Sequence, residues 1–197
     1  MVEHYYTKKQ TSKFEPFKIT VKVKGQEIEL WSSAGVFSKK NLDIGSKVLI
    51  ENTTIKKGQR VLDLGCGYGV VGIAVMKQNP EVEMVFTDSN ARAQKLVKKN
   101  LRLNKLDGTA LCGDVFEKIK GKFDVILLNP PQTAGKKLCF RMIEESALYL
   151  EDGGSLQIVA RHKKGGKELE KKMKEVFGNV EQVAKKSGFR VYISVKK

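Results

Sequence analysis

A glycine-rich segment and an Asn-Pro-Pro segment are the parts of this sequence whose residue types can carry chemistry. Residues 63–69 read DLGCGYG, after an apolar stretch and directly before a helical one. Glycines at such a junction let the backbone pass close beneath a ligand and turn sharply into the helix. The spacing also fits a dinucleotide site, but a carboxylate such as Asp63 disfavours a pyrophosphate there. The segment favours an aminoacyl-type ligand, such as the methionine part of S-adenosylmethionine.

Two further acidic residues follow the next predicted strands and add to the case for a nucleoside ligand. Asp88 ends the second strand, where a carboxylate can accept hydrogen bonds from both ribose hydroxyls. Asp114 follows the third strand and can accept from an adenine amine, with Val115 and Phe116 as apolar walls. A single acid at a strand end can instead cap a helix. Three acids at the ends of successive strands, Asp63 included, are a more specific indication of a nucleoside ligand.

The segment Asn129–Gln132 follows the strongly apolar stretch Phe123–Leu128. Its two prolines fix the backbone, and we expect them to leave the carbonyl of Pro130 without a local donor. That carbonyl and the Asn129 side-chain oxygen can then converge on a planar amino group, which offers two N–H donors. Such hydrogen bonds favour a tetrahedral nitrogen as it attacks a sulfonium methyl group in line. This chemistry needs no metal.

The rest of the sequence must position these residues. Strand and helix segments alternate after Arg60, and the apolar strands predict a parallel sheet covered on both faces. The last two strands have no helix between them, so they should pair antiparallel at one edge. The prediction is an α/β fold with a Rossmann-like, doubly wound, mostly parallel seven-stranded sheet. Strands are expected at 61–64, 82–87, 110–112, 123–128, 156–160, 180–184 and 189–195, and helices at 48–55, 70–78, 90–104, 137–150 and 167–177.

A small β-hairpin is predicted before this region. Residues 14–31 alternate between apolar and polar types, and Lys24–Gln26 supply a turn. The sequence therefore divides into a hairpin appendage at residues 1–32 and a main domain at residues 33–197.

Composition narrows the class of partner. The chain has 197 residues, the length of one domain, and carries a formal net charge of +15. A surplus of this size in a small domain favours a polyanionic partner such as nucleic acid. Three well-separated cysteines and two histidines argue against a zinc site or a disulfide framework, and they indicate a reducing, cytoplasmic setting. The sequence shows no apolar run of membrane-spanning length and no secretory signal.

Residues 63–69 and 129–132 together resemble the motifs of class I S-adenosylmethionine-dependent methyltransferases that act on amino or amide nitrogens. The segments Gly35–Ser38, Leu42–Ser46 and Gly153–Ala160 narrow the resemblance to the small-domain methyltransferases. That group includes the ribosomal RNA guanine-N2 enzymes of the small-subunit RsmC type. The resemblance implies S-adenosylmethionine as cofactor and guanine N2 of small-subunit ribosomal RNA as the methyl acceptor.

The resemblance and the residue patterns together define the candidate site. The catalytic segment is Asn129, Pro130, Pro131 and Gln132, where Gln132 replaces the Phe or Tyr that the family often has. Cations that leave the carboxyl ends of strands are expected to neutralise RNA phosphates: Lys136, Lys137, Arg161, Lys163 and Lys164. The residues expected to bind the cofactor are Phe37, Ser38, Asp63, Gly65, Cys66, Gly67, Tyr68, Asp88, Ser89, Asp114, Val115 and Asn129.

Other functions stay open at this point. The same chemistry on transfer RNA, DNA adenine or a protein glutamine uses the same two motifs. A non-catalytic RNA-binding or assembly factor can also keep the fold. A nicotinamide oxidoreductase is disfavoured, because nothing at the Asn129 position suits hydride transfer.

Overall fold

The computed structural model describes residues 13–34, 36 and 42–197. The strands are β1 Pro16–Val23, β2 Gln26–Ser33, β3 Arg60–Leu64, β4 Glu83–Asp88, β5 Thr109–Cys112, β6 Phe123–Leu128, β7 Leu150–Arg161, β8 Glu181–Lys186 and β9 Phe189–Val195. The helices are α1 Ile44–Asn52, α2 Val70–Gln78, α3 Ala91–Leu103, α4 Lys136–Tyr149 and α5 Lys167–Phe177.

The main sheet has seven strands in the order β5-β4-β3-β6-β7-β9-β8. Strands β3 to β7 run parallel, whereas β9 pairs antiparallel with both β7 and β8. The predicted fold class, with its antiparallel C-terminal edge, is therefore confirmed. Strands β3 and β6 are neighbours, with Leu64 opposite Leu128. The segments that follow them, which contain the glycines and Asn129, consequently leave the sheet at the same edge.

Two buried clusters cover the faces of this sheet, and this explains the near-continuous apolar strands. One cluster joins α1, α2, α3 and the hairpin to inward residues such as Val61 and Leu127. The other joins α4 and α5 to the opposite face through Leu62 and Ile126. None of the helices within residues 13–34, 36 and 42–197 is long and apolar enough to cross a bilayer.

Capping residues set the helix ends. Asn90 accepts a hydrogen bond from the backbone of Arg92 at the start of α3, and Gly178 ends α5 with φ +72°, which is typical of a glycine C-cap. The predicted start of α1 at Val48 is wrong by one turn. Asp43 caps this helix by accepting a hydrogen bond from the Ser46 backbone nitrogen at 3.0 Å.

Strand β7 corrects a second prediction. It begins at Leu150, although Gly153 and Gly154 predict a break before a strand at Leu156. A Cβ at Gly154 would lie 2.8–3.0 Å from three carbonyl oxygens, so only glycine fits between the adjacent backbones. The β6–β7 register also shifts in this stretch. The glycines therefore accommodate an irregularity inside the strand and do not end it.

The N-terminal hairpin packs on α3. Lys24 and Gly25 both have positive φ, which is typical of the two-residue turns that join twisted strands. Ile28 and Leu30 are fully buried in the cluster that contains α3. The side chain of Asn100 hydrogen-bonds both the backbone nitrogen and the backbone oxygen of Trp31, at 2.6 and 2.9 Å. The division of the chain at residue 32 stays a prediction.

Candidate active site

A cavity opens at the carboxyl edge of the sheet, where ligands bind in folds of this kind. It encloses about 930 Å³ of empty space, its open mouth included. Phe37 and Ser38 lie outside the described residues. Of the other residues expected to hold a cofactor, the cavity is lined by Asp63, Gly65, Cys66, Gly67, Tyr68, Asp88, Ser89, Asp114, Val115 and Asn129.

The glycine-rich loop is held in a fixed shape between β3 and α2. Gly65 and Gly67 have φ of +69° and +55°, a region that favours glycine. The backbone nitrogens of Gly65 and Cys66 both donate to the carbonyl oxygen of Thr87, at 2.8 and 3.0 Å. Strand β4 thus anchors the loop, and the floor of the cavity is backbone.

Asp63 and Asp88 are two desolvated carboxylates on the same cavity wall. Asp63 Oδ2 accepts a hydrogen bond from Gly72 at 2.9 Å, and burial, with a smaller contribution from Asp88, raises the pKa of Asp63 to about 7. Asp88 accepts from Gly67 and Asn90, each at 2.9 Å, and burial raises its pKa as well. A bound cationic group would stabilise the ionised form of either carboxylate.

Asp114 and its neighbours form another part of the cavity wall. Asp114 Oδ1 accepts a hydrogen bond from the Arg141 guanidinium at 2.8 Å, a partner that the sequence did not predict. Val115 lines the cavity together with Leu138 and Met142 of α4. Phe116, the second expected apolar wall, instead stacks on Tyr149 with ring centroids 4.3 Å apart and does not line the cavity.

The amide of Asn129 is oriented by two residues at the start of α1. Its Nδ2 donates to Ser46 Oγ at 3.0 Å and to Asp43 Oδ1 at a longer 3.5 Å. Because both contacts are donated by Nδ2, the amide nitrogen faces α1. Asn129 Oδ1 is consequently turned away from α1, and within the described residues it accepts no hydrogen bond. Because Asn129 lines the cavity, this oxygen is an available acceptor there.

Sequence reasoning gave Asp43 and Ser46 no role in the site, although a signal was present. An Asp directly before a helical stretch is an N-cap signature, and it would have placed Asp43 at the start of α1. Among the described residues, Asp43 Oδ2 and the Tyr68 hydroxyl are buried without a hydrogen-bond partner. Burial, and secondarily the Asp43 carboxylate, raises the pKa of Tyr68. The cavity therefore adjoins two polar atoms with unused hydrogen-bonding capacity.

The Asn-Pro-Pro turn differs from its prediction in one respect. The carbonyl oxygen of Pro130 accepts a hydrogen bond from the Gln132 backbone nitrogen at 2.8 Å. This inverse γ-turn is centred on Pro131, whose φ and ψ are −74° and +74°. The expectation that Pro130 has no local donor is therefore wrong, but a carbonyl oxygen has a second lone pair. Pro131 lines the cavity, whereas Pro130 and Gln132 do not.

Gln132 connects the Asn-Pro-Pro turn to the basic turn at 162–166. Its Oε1 accepts from the backbone of Arg161 at 2.8 Å, and its Nε2 donates to the carbonyl oxygen of Lys164 at 2.8 Å. Arg161, Lys163 and Lys164 are exposed beside the turn, and so are the cations that begin α4. Of those, Lys136 pairs with Glu168 at 3.4 Å. The cations expected to meet RNA, Lys137 among them, thus share the cavity's edge of the sheet.

Comparison with known proteins identifies relatives of the whole chain. An uncharacterized protein from Bacillus subtilis, YbxB, is 34% identical over 203 aligned residues that cover both proteins fully. The ribosomal RNA small subunit methyltransferase C of Haemophilus influenzae is 37% identical over 175 residues, which is 87% of this chain and 52% of that enzyme. The chain thus spans about half the length of the named methyltransferases it matches.

A solved structure has a similar fold. The 16S rRNA guanine-N2 methyltransferase RsmC from Thermus thermophilus, solved with AdoMet and guanosine, superposes with a TM-score of 0.79 at 25% identity. The match covers 94% of this chain and 51% of that one. The model of the methyltransferase small domain family matches residues 27–193, which include both motifs and the whole cavity edge. The resemblance inferred from the motifs is confirmed, and the chain belongs to the methyltransferase small domain family.

Proposed function

We propose that this protein transfers the methyl group of S-adenosylmethionine to the exocyclic N2 amine of a guanine in small-subunit ribosomal RNA. One observation carries the proposal: the Asn129 amide is held with its oxygen available in the cavity that Asp63, the glycine loop and Asp88 line. Membership of the methyltransferase family and the RsmC relatives support the same reaction. A ribosomal RNA substrate implies that the protein acts in the cytoplasm.

The polar residues of the cavity fit S-adenosylmethionine. The carboxylate of Asp63 suits the ammonium of the methionine part. Each oxygen of Asp88 accepts one backbone hydrogen bond and retains a lone pair for a ribose hydroxyl. Val115, Leu138 and Met142 form an apolar surface suited to adenine. When bound, the cofactor supplies an electrophilic methyl group on a sulfonium centre.

Asn129 then activates the amine. The lone pair of an exocyclic amine is delocalised into the base, which makes the nitrogen a poor nucleophile. A hydrogen bond from this amine to Asn129 Oδ1 favours a tetrahedral nitrogen with a localised lone pair, and the oxygen is preorganised before the base arrives. The second N–H of the amine is assigned no partner, because Pro130 does not line the cavity. Gln132 itself acts by fixing the turn.

The charge of the protein supports RNA as the acceptor. The formal net charge is +15, and exposed cations lie beside the catalytic turn. Such cations neutralise the phosphates that flank a base extruded into a pocket. A protein glutamine substrate would not require this surplus of positive charge.

Methyl transfer to unmodified RNA tests the proposal. Small-subunit ribosomal RNA transcribed in vitro is incubated with the enzyme and labelled cofactor, and the methylated nucleoside is identified by mass spectrometry. We expect N2-methylguanosine, and we expect its formation to fall at least 100-fold in Asn129→Ala. Methylated adenine, or label incorporated only in parallel reactions that contain transfer RNA, DNA or protein instead, would refute the assigned acceptor. Calorimetry that detects no cofactor binding would refute the enzyme assignment.

A further inference from the structure

Helix α3 presents a stripe of exposed positive charge on one face. Residues 91–103 contain five basic and no acidic side chains. Four of the cations are exposed at the spacing of one helical face: Lys95, Lys98, Lys99 and Arg102. At 1.5 Å per residue, this stripe extends about 10 Å along the helix. Helix α5 has similar length but interleaves its lysines with Glu168, Glu170 and Glu175.

The stripe is held in a defined position relative to the cavity. Asn90 caps the helix, and both Asn90 and Ala93 line the cavity. Lys95 therefore lies within one helical turn of a residue in the cavity wall. Asn100 is fully buried and donates to the carbonyl oxygens of Trp31 and Tyr68, each at 2.9 Å. This side chain connects α3 to the hairpin and to the glycine loop. The exposed face of α3 is therefore fixed with respect to the residues that line the cavity.

The hairpin holds one of the α3 cations in position. The ammonium of Lys99 lies 3.4 Å from the centroid of the Trp31 ring, a cation–π contact that restrains a flexible side chain. Of the three hairpin lysines, Lys18 pairs with Glu29 and Lys22 pairs with Glu27, whereas Lys24 lies in the turn. Most of the uncompensated charge of this face therefore lies on the helix.

The strand order places this stripe and the basic turn at 162–166 on opposite sides of the cavity. Helix α3 follows β4 and the basic turn follows β7, whereas β3 and β6 lie between them. Three strand intervals of about 4.8 Å separate β4 from β7, or about 14 Å. A polyanion that crosses the cavity mouth can meet cations on both sides.

We propose that the exposed face of α3, with Lys99 restrained on Trp31, is a docking surface for the phosphate backbone of the RNA that delivers the target base. This inference rests on the proposed function for the choice of RNA as partner. The surface differs from the cations expected beside the catalytic turn, and its role is to bind the strand on the other side of the cavity.

A pair of double variants tests the surface. Lys95→Gln with Lys98→Gln removes two exposed charges three residues apart on α3. Lys171→Gln with Lys174→Gln removes two exposed charges at the same spacing on α5 and is the matched control. Glutamine keeps a high helix propensity, so neither change should alter the fold. Affinity for unmodified small-subunit ribosomal RNA is measured by filter binding between 50 and 200 mM KCl.

We expect the α3 variant to lower the slope of log affinity against log salt by about 1.4 to 1.8, and the affinity at 0.1 M by roughly 25- to 60-fold. The control should match the wild type. An unchanged slope in the α3 variant, or an equal loss in the control, would overturn the inference.

Cofactor binding and methyl transfer, measured in parallel, separate the two proposals. If the wild type methylates RNA and the α3 variant binds RNA normally, the docking surface is wrong and the proposed function stands. If the α3 variant alone loses RNA affinity while the wild type transfers no methyl group, the surface stands and the proposed function fails.

Discussion

Replacement of Ser46 by alanine isolates the orientation of the Asn129 amide from the rest of the site. Ser46 is 2% exposed, and its Oγ accepts the shorter of the two hydrogen bonds that hold Asn129 Nδ2, at 3.0 Å. The remaining contact, to Asp43, is at 3.5 Å. Capping of α1 uses the Ser46 backbone nitrogen, so alanine preserves the cap. The variant should therefore weaken the restraint on the orientation of Asn129 Oδ1 and leave the helix intact.

The size of the effect follows from the one hydrogen bond that is lost. A neutral hydrogen bond contributes about 0.5–1.5 kcal/mol net, which corresponds to a loss of roughly 2- to 13-fold in kcat. Removal of the oxygen itself in Asn129→Ala should cost more, on the order of 100- to 1,000-fold. The KM for RNA should change little, because the cations proposed to bind phosphate are unchanged.

Single-turnover methyl transfer with saturating cofactor measures this loss, and Ser194→Ala is the matched control. Ser194 is fully buried and donates to the carbonyl of Asn179 at 2.7 Å, near the end of β9 farthest from the cavity edge. Both variants should lower the melting temperature slightly, but only Ser46→Ala should slow the reaction. Equal rates in the two variants would show that Ser46 does not orient the catalytic amide.

Three further outcomes follow from burial. The pKa of Asp63 is raised to about 7, so its ionised fraction rises about fivefold from pH 6 to pH 7. Calorimetry should show that the affinity for the cofactor rises in proportion over this range. In Asp63→Asn, the affinity should depend less steeply on pH. Gly72→Ala would place a Cβ 2.3 Å from a ring carbon of the buried Phe86. Urea unfolding should therefore show that the free energy of unfolding falls by about 1–3 kcal/mol. An unchanged urea midpoint would contradict this expectation. Burial raises the pKa of the Cys66 thiol, whereas Cys112 is only partly buried. Alkylation at pH 8, followed by peptide mass spectrometry, should therefore label Cys112 before Cys66. Equal alkylation rates at the two cysteines would contradict this expectation.

The sequence predicted those elements whose ends carry local signals. Helix α2 spans the predicted residues 70–78 and directly follows the glycine loop, and α3 lies between its two asparagine caps. The three acids at strand ends were found because side chains that follow parallel strands meet at one edge. The glycine pair at 153–154 misled the prediction, since a glycine required by close backbone approach looks the same in sequence as one that ends a strand.

Contacts between distant segments account for what the sequence did not show. Asn129 and Ser46 are 83 residues apart, and no local pattern predicts that one orients the other. The same holds for Asp114 and Arg141. The Pro130 carbonyl was misjudged for a different reason, because the γ-turn around Pro131 depends on a ψ value that proline does not restrict. The sequence showed which motifs are present, whereas the hydrogen-bond partners of their side chains depend on the folded structure.

The two hydrogen bonds of the Gln132 side chain couple the basic turn at 162–166 to the Asn-Pro-Pro turn. They tie the backbone at Arg161 and Lys164 to the segment that carries Asn129, so the two loops are braced against each other. An aromatic ring at this position would stack on a base but would leave the loops independent. Under the proposed function, RNA bound by the loop at Arg161 and Lys164 would also hold the Asn129 amide in place, so this coupling between the two loops would replace stacking.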